Sequence, residues 1–253
     1  MKLRTIIINT FKEAVRGKIF LVILGFSIVL LVGSRILVPL SLGEERKILM
    51  DIGLGSISIF GILLAILIGS QLVFNEMERK TVFFVLPKPI PRRTFILGKF
   101  LGLLLTLILV MVILTIWFYI VLFWLTRQHP HTLLLAVFFS FLEVMVITAI
   151  SVFFSTFSSP ILSSVFTFFF FVIGRLAPDI QLLATKVKAP ITQFMLSAVY
   201  YTIPNLDNFN IQGRILYAEP VSGSHILFAV SYALIYTIIL IAVACHVFSR
   251  RDL

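Results

Sequence analysis

A single cysteine, Cys245, stands among 253 residues, and the four histidines form no Cys/His cluster of zinc or haem spacing. One thiol cannot close an internal disulfide, so disulfide scaffolds are excluded and metal-stapled ones recede. Charge is scarce too: Asp, Glu, Lys and Arg make up 13% of the chain, roughly half the usual share of a soluble domain. No Gly-x-x-x-x-Gly-Lys-Ser/Thr occurs; Gly98-Lys99 lacks both the upstream glycine and the following hydroxyl, so the chain carries no phosphate-cradling loop of its own. His-Glu-x-x-His, Gly-x-Ser-x-Gly and paired intramembrane carboxylates are missing, which leaves an intramembrane protease or lipid hydrolase without catalytic groups. With no internal repeat, the inverted-repeat design of many secondary transporters has no support.

What is present is hydrocarbon. Apolar residues are 60% of the chain and the mean hydropathy is +1.11, too little polar surface to coat a soluble core of this size. A crossing helix needs about 20 mainly apolar residues, and six stretches qualify: Ile19 to about Leu42, interrupted by Arg35; Ile52 to Asn75; Phe100 to Thr126; His131 to Phe154; a short Ile161 to Gly174; and His225 to Phe248. The fourth and fifth come from a run, Gln128 to Gly174, whose only formal charge is Glu143. As one helix it would reach about 70 Å, so it is read as two crossings broken at Ser155-Thr-Phe-Ser-Ser-Pro160. The fold class expected is therefore an all-α integral membrane protein with six transmembrane helices, forming one domain over residues 1–253.

The net charge of +10 fits basic loops on a membrane better than nucleic acid. Lys2, Arg4, Lys12, Arg16 and Lys18 precede the first span, six more basic residues lie between the second and third, and Arg250 and Arg251 follow the sixth. The other side has eight, diluted by six acids, so the positive-inside rule places both termini in the cytoplasm. Residues 1–18 read as an interfacial amphipathic helix, with Leu3, Ile7, Phe11, Ala14 and Val15 on one face and Lys2, Asn9, Lys12, Glu13 and Arg16 mostly opposite. The outer segment, 176–224, has Ile180, Leu183, Val187, Ile191, Phe194, Met195 and Ala198 at helical spacing interrupted at Pro190. That pattern predicts two short helices leaning on the outer surface or capping the bundle.

The loop between the second and third spans, 76–99, is the most distinctive segment. Glu76 and Glu78 suit the positive end of a short helix, and Val82, Phe83 and Leu86 offer an apolar face too large to leave in water. Pro87, Pro89 and Pro91 hold an extended elbow that transmits displacement, and Arg92, Arg93 and Lys99 are placed to snorkel to headgroups. On physical grounds alone, a basic loop that only sets topology fits equally well.

In order and spacing these motifs resemble the permease subunits of ABC type-2 exporters. The loop matches that pattern at Glu76 with Thr81, at Leu86-Pro-Lys-Pro-Ile-Pro-Arg92 and at Leu97-Gly-Lys99. Within the family the chain is similar to the branch for multicopper-enzyme and nitrous-oxide-reductase maturation, through Glu143 with Ser155-Thr156, Pro204 to Asp207 and Phe248 to Leu253. Lys80, where a small residue often stands, and Pro91, in place of the usual serine, depart from the pattern without changing the loop's length. The resemblance implies an inner-membrane exporter subunit of a bacterium or archaeon. It would act as a second permease's partner and would not itself be an enzyme. A separate cytoplasmic ATPase would bind ATP and Mg, with its contact at Glu76, Glu78, Arg79, Thr81, Val82, Phe83 and Leu86. This chain would need no cofactor. A non-transporting membrane scaffold or sensor partnered with an ATPase is the alternative.

Other candidates are weaker. His129 and His131 lack a third ligand and read as solvated turn residues; His225 and His246 read as interfacial anchors. Phenylalanines 168–171 read as lipid-facing or packing bulk. Glu143, deep in the fourth span, is unfavourable when ionised by at least a few kcal/mol. It should face the bundle, neutral or paired, through a hydrogen bond to Ser, Thr or backbone or through Arg35 or Arg175 reaching inward.

Overall fold

The computed structural model describes residues 2–37, 45–74, 91–126, 132–187, 189–217 and 219–250. All regular structure among them is helical: α1 (Lys2–Arg16), α2 (Lys18–Leu37), α3 (Glu45–Gln71), α4 (Arg92–Thr126), α5 (Thr132–Ser155), α6 (Pro160–Arg175), α7 (Ala177–Lys186), α8 (Pro190–Thr202), a 3₁₀ turn (Leu206–Phe209), α9 (Gln212–Leu216) and α10 (Gly223–Ser249). Four of these, α3, α4, α5 and α10, are long and apolar enough to cross a membrane. A fifth crossing is available if α6 and α7, bent by 61° at Leu176, count as one, while α2 contributes a shorter apolar stretch, Phe20–Val29. The chain is a multi-pass membrane protein.

Helix ends fall where local chemistry puts them. Ser155 ends α5, and α6 restarts with Pro160 as its first residue, where a missing N–H costs nothing. Pro190 likewise opens α8, so the interruption expected there is a helix start. The polar ends of the spans are helical as well. α3 begins at Glu45, ahead of the expected Ile52, and α4 begins at Arg92, ahead of Phe100. At 35 residues, α4 is about 52 Å long, longer than the about 30 Å of hydrocarbon that a crossing helix needs to span.

The bundle is organised around α5, in which every residue from Leu142 through Val152 is buried. α3 packs along it closely: an added Cβ at Gly69 would lie 2.6 Å from Ser151 Oγ, and that hydroxyl donates to the carbonyl of Ile66 at 3.3 Å. Small residues matter because lipid gives apolar helices no hydrophobic reason to associate, and close backbone packing has to do it. α10 buries a narrow stripe, Ala229, Ala233, Thr237, Ile241, Ala244 and Phe248, and exposes Leu227, Leu234, Ile235, Ile238 and Ile239 on its other face. α4 does the same with Leu97, Leu101, Leu105, Ile108 and Val112 outward.

α7 and α8 pair as a hairpin beyond the bend, and the chain returns to the bundle at Gly174, against which Pro204 and Leu206 close. Tyr232 of α10 holds this return, its hydroxyl accepting from the Asn205 N–H at 2.8 Å. Lys47, at the same end, lies over the Tyr217 ring.

Candidate functional site

Two arrangements stand out: the base from which the 76–99 loop springs, and a polar centre inside the bundle. The expected ATPase-contact residues, Glu76, Glu78, Arg79, Thr81, Val82, Phe83 and Leu86, lie outside the described residues, but the first turns of α4, into which the loop feeds, are described in full.

Those turns are tied on two sides. Towards α10, the Arg92 guanidinium donates to the carbonyls of Phe248 and Ser249 at 3.3 and 3.0 Å, satisfying acceptors that the end of a helix leaves open. Phe95 stacks on Phe248, centroids 5.8 Å apart, and the Cys245 thiol points to the carbonyl of Arg93 at 3.9 Å. Towards α1, Lys99 pairs with Glu13 at 3.3 Å with its side chain only 3% exposed. The snorkelling expected of Arg92 and Lys99 is therefore not what they do: one caps α10, and the other is buried against α1. Burial of Lys99 follows from the approach of α1, which crosses α4 so tightly that a Cβ at Gly102 would lie 2.8 Å from the carbonyl oxygen of Ile7, and one at Gly98 would lie 2.6 Å from Ile6. The face of α1 pressed on α4 is Ile6, Thr10 and Ala14; of the apolar stripe predicted, Ala14 is buried, Ile7, Phe11 and Val15 are half-buried, and Leu3, like Ile8 outside the stripe, is exposed. The signal for this in the sequence was Gly98-x-x-x-Gly102, a small-residue spacing that lets two helices touch.

The polar centre joins α3, α5 and α6. Glu143 on α5 is 1% exposed, and the Arg175 guanidinium grips it with two atoms, Nε 2.8 Å from Oε1 and Nη2 donating to Oε2 at 3.0 Å. Ser58 of α3 donates to Oε2 at a longer 3.4 Å. Only the Nη2 contact has hydrogen-bond geometry; Nε–Oε1 is a close ion-pair approach that leaves Oε1 without a hydrogen bond among the described residues. Arg175 reaches Glu143 because α6 is short. Counting from the break at 156–159, Glu143 stands about 18 Å up α5 and Arg175 about 22 Å up α6 at 1.5 Å per residue. Arg175 thus ends its helix at nearly the level of Glu143. Its side chain is 26% exposed, against 2% for Glu143, so one partner is sealed and the other has an exit. Of the two arginines the sequence offered, Arg35 has its side chain outside the described residues. Ser58 was missed, since one hydroxyl among the serines of α3 carries no distinguishing signal.

His129 and His131 lie outside the described residues. His225 stacks flat on Phe139, centroids 5.7 Å apart. Phe168 and Phe169 are exposed, while Phe170 and Phe171 pack on the core.

No curated protein matches the chain. The family model described as ABC-2 family transporter protein matches residues 4–253, nearly the whole length. The chain belongs to the ABC-2 transporter family, as a membrane permease component of an ABC transporter, a kind of subunit that generally works with an ATPase component and is not itself an enzyme.

Proposed function

We propose that this protein is the membrane-spanning subunit of an ATP-driven exporter, with ATP and Mg bound by a separate cytoplasmic ATPase seated on the 76–99 loop. In this reading the whole chain is one transmembrane domain of six spans. α2 is the first span and α6 with its continuation the fifth, both termini are in the cytoplasm, and a second copy or a related permease completes the pathway in a bacterial or archaeal inner membrane. The observation that carries the reading is the base of the loop. Arg92 and Phe95 fasten the start of α4 to the end of α10, and Lys99 with Gly98 and Gly102 fastens it to α1. A push on the loop therefore reaches three helices at once, through contacts that are polar or closely packed and do not stretch.

Phe83 is the buried anchor of the ATPase contact in this proposal, with Glu78 and Arg79 as its polar partners and Glu76, Thr81, Val82 and Leu86 around it. Truncating an aromatic anchor of an interface commonly costs about 2 kcal/mol or more. In membranes from the native host, tagged protein is expected to recover an ATPase in mild detergent, and Phe83→Ala to lose it while remaining inserted. Wild-type recovery of the ATPase by Phe83→Ala refutes the contact. An assembled complex that hydrolyses ATP in vesicles yet moves nothing would make the protein a scaffold. The likeness to the maturation branch is part of this proposal only; the genes beside this one, an ATPase and the proteins it serves, are its test.

A further inference from the structure

α1 meets a different surrounding on each side. Ile6, Thr10 and Ala14 press on α4, where Gly98 and Gly102 let the two helices touch. At about 100° per residue, Ile7, Phe11 and Val15 centre about 100° from Thr10 in one sense, and Asn9, Glu13 and Arg16 about as far in the other. Lys99 tells which way these flanks are turned. Its ammonium meets Glu13 at 3.3 Å and lies 5.9 Å from the ring centre of Phe95, one turn nearer the start of α4. The Glu13 flank therefore faces the root of the 76–99 loop, and the Phe11 flank faces down the apolar length of α4. A helix with protein beside it, charge on the loop side and apolar residues on the other lies along a membrane surface. After Gly17, α2 at once exposes Leu21, Val22, Phe26 and Val29, as a helix entering lipid does.

Opposite α4 runs a ridge that the fold leaves open. Arg4, Ile8, Lys12 and Arg16 follow one another at four-residue spacing, centred about 180° from Thr10, and all are exposed. The one acid of α1, Glu13, lies on the loop flank and is engaged by Lys99. The ridge therefore carries three cations and, among the described residues, no counter-charge. Its two edges differ: Arg4 borders the apolar flank of α1 and Arg16 the polar one, so the ridge spans the level at which headgroups meet hydrocarbon. A soluble partner does not reach the apolar edge. The phosphates of anionic lipids lie at that level, beside acyl chains that suit an exposed Ile8.

We propose that the ridge of Arg4, Ile8, Lys12 and Arg16 is a binding edge for anionic phospholipid, whose phosphates pair with the three cations and hold α1 in its seat on α4. Because α1 also holds Lys99 at the root of the loop, the lipid charge of that leaflet sets how firmly the root is tied. Zwitterionic lipid presents the same chains without net charge and is the discriminating control. The site requires only that the chain spans a membrane, so its test involves neither transport nor an ATPase, and its failure leaves the export reading untouched.

Full-length protein is placed in nanodiscs of phosphatidylcholine alone or with an equal part of phosphatidylglycerol, and amide hydrogen exchange is followed along the chain, with α5, sealed inside the bundle, as the reference. One Lys or Arg near an anionic surface is worth about fivefold in an equilibrium constant, so α1 is expected to exchange at least about tenfold more slowly with phosphatidylglycerol present. Arg4→Gln, Lys12→Gln and Arg16→Gln should each remove about fivefold and together abolish the difference. Arg4→Lys with Arg16→Lys should keep it, and about 0.5 M salt should collapse it in the wild type. If the triple glutamine variant already exchanges faster in phosphatidylcholine, the salt dependence of the wild type decides. Equal exchange of wild-type α1 in the two lipids, a difference that survives the triple substitution, or one that high salt leaves intact overturns the proposal. Soluble glycerophosphoglycerol at millimolar concentration should not substitute for the lipid; if it slows exchange in phosphatidylcholine as much as phosphatidylglycerol does, the ridge binds soluble phosphoesters and the lipid assignment falls.

Discussion

Replacing Arg175 by glutamine strands the Glu143 carboxylate among α3, α5 and α6 with only the 3.4 Å contact of Ser58 left to it. Breaking a buried pair from one side typically costs about 3–5 kcal/mol, because the remaining charge has no compensation. The reverse change, Glu143→Gln, is expected to cost less, about 1.5–3 kcal/mol, the range for a hydrogen bond to a charged group. The asymmetry comes from exposure: Arg175 keeps 26% of its side chain accessible and can swing outward, whereas Glu143 at 2% cannot leave. Glu143→Gln with Arg175→Gln removes both charges and leaves two amides able to bond to each other, so the double variant should be more stable than Arg175→Gln alone. Midpoints of thermal unfolding in one detergent, followed by the recovery of monodisperse protein, give the order: wild type, Glu143→Gln, the double variant, Arg175→Gln. Loss of about 3–5 kcal/mol is a large part of the stability of a domain, so the last should be recovered poorly. If Arg175→Gln is no worse than Glu143→Gln, or if the two losses simply add in the double variant, the pair is not energetically coupled and the reasoning from burial fails.

Ser58→Ala should shift the same midpoint by only about 0.6 kcal/mol, the average for hydrogen bonds between helices in membranes; a loss as large as that of Arg175→Gln would make Ser58 the main partner. Gly102→Ala puts a methyl 2.8 Å from the Ile7 carbonyl oxygen, an atom that cannot rotate away, and should cost about 1–3 kcal/mol and make α1 accessible to protease; unchanged protection refutes the close crossing. Gly98→Ala meets mainly the Ile6 side chain, which can yield, and should be milder by the same assay. Arg92→Ala removes the donor to the last carbonyls of α10. It is expected to leave ATPase binding intact while lowering transport per ATP hydrolysed, and unchanged coupling would show that α10 takes no part. For the polar centre, Glu143→Gln with full transport in an assembled complex assigns Glu143 a structural role, and loss of transport alone assigns its charge a direct one.

Much of the architecture was legible because lipid imposes it. Long apolar runs had to be helices, and the Ser-rich break ending at Pro160 had to separate two of them, since a backbone in hydrocarbon must satisfy its own hydrogen bonds. The extents of α5 and α10 agree with the expected spans to within about two residues, while α3 and α4 run further into charged sequence because helices do not stop at the membrane surface. Glu143 announced itself as the one acid in a long uncharged stretch. Its partner did not: Arg175 looked like a boundary residue, and only the shortness of α6 beside α5 brings it to the same depth. Lys99 was misread for a similar reason, as a charge beside an apolar run that is placed to snorkel unless something covers it, and α1 covers it.

By itself the sequence determined that this is a helical membrane protein with a scarcity of charge, a proline-spaced basic loop and one deep carboxylate, because each of those follows from composition or from local spacing. Which face of α4 or α10 meets protein and which meets lipid was decided only by the tertiary structure, since Leu101 outside and Leu103 inside are chemically alike. So was the gathering of Arg92, Lys99, Glu13 and Phe248 around the root of the loop, from segments up to 235 residues apart. In lipid the hydrophobic effect does not sort one apolar surface from another, and the sorting falls to small residues, buried ion pairs and helix ends whose meeting no local pattern records.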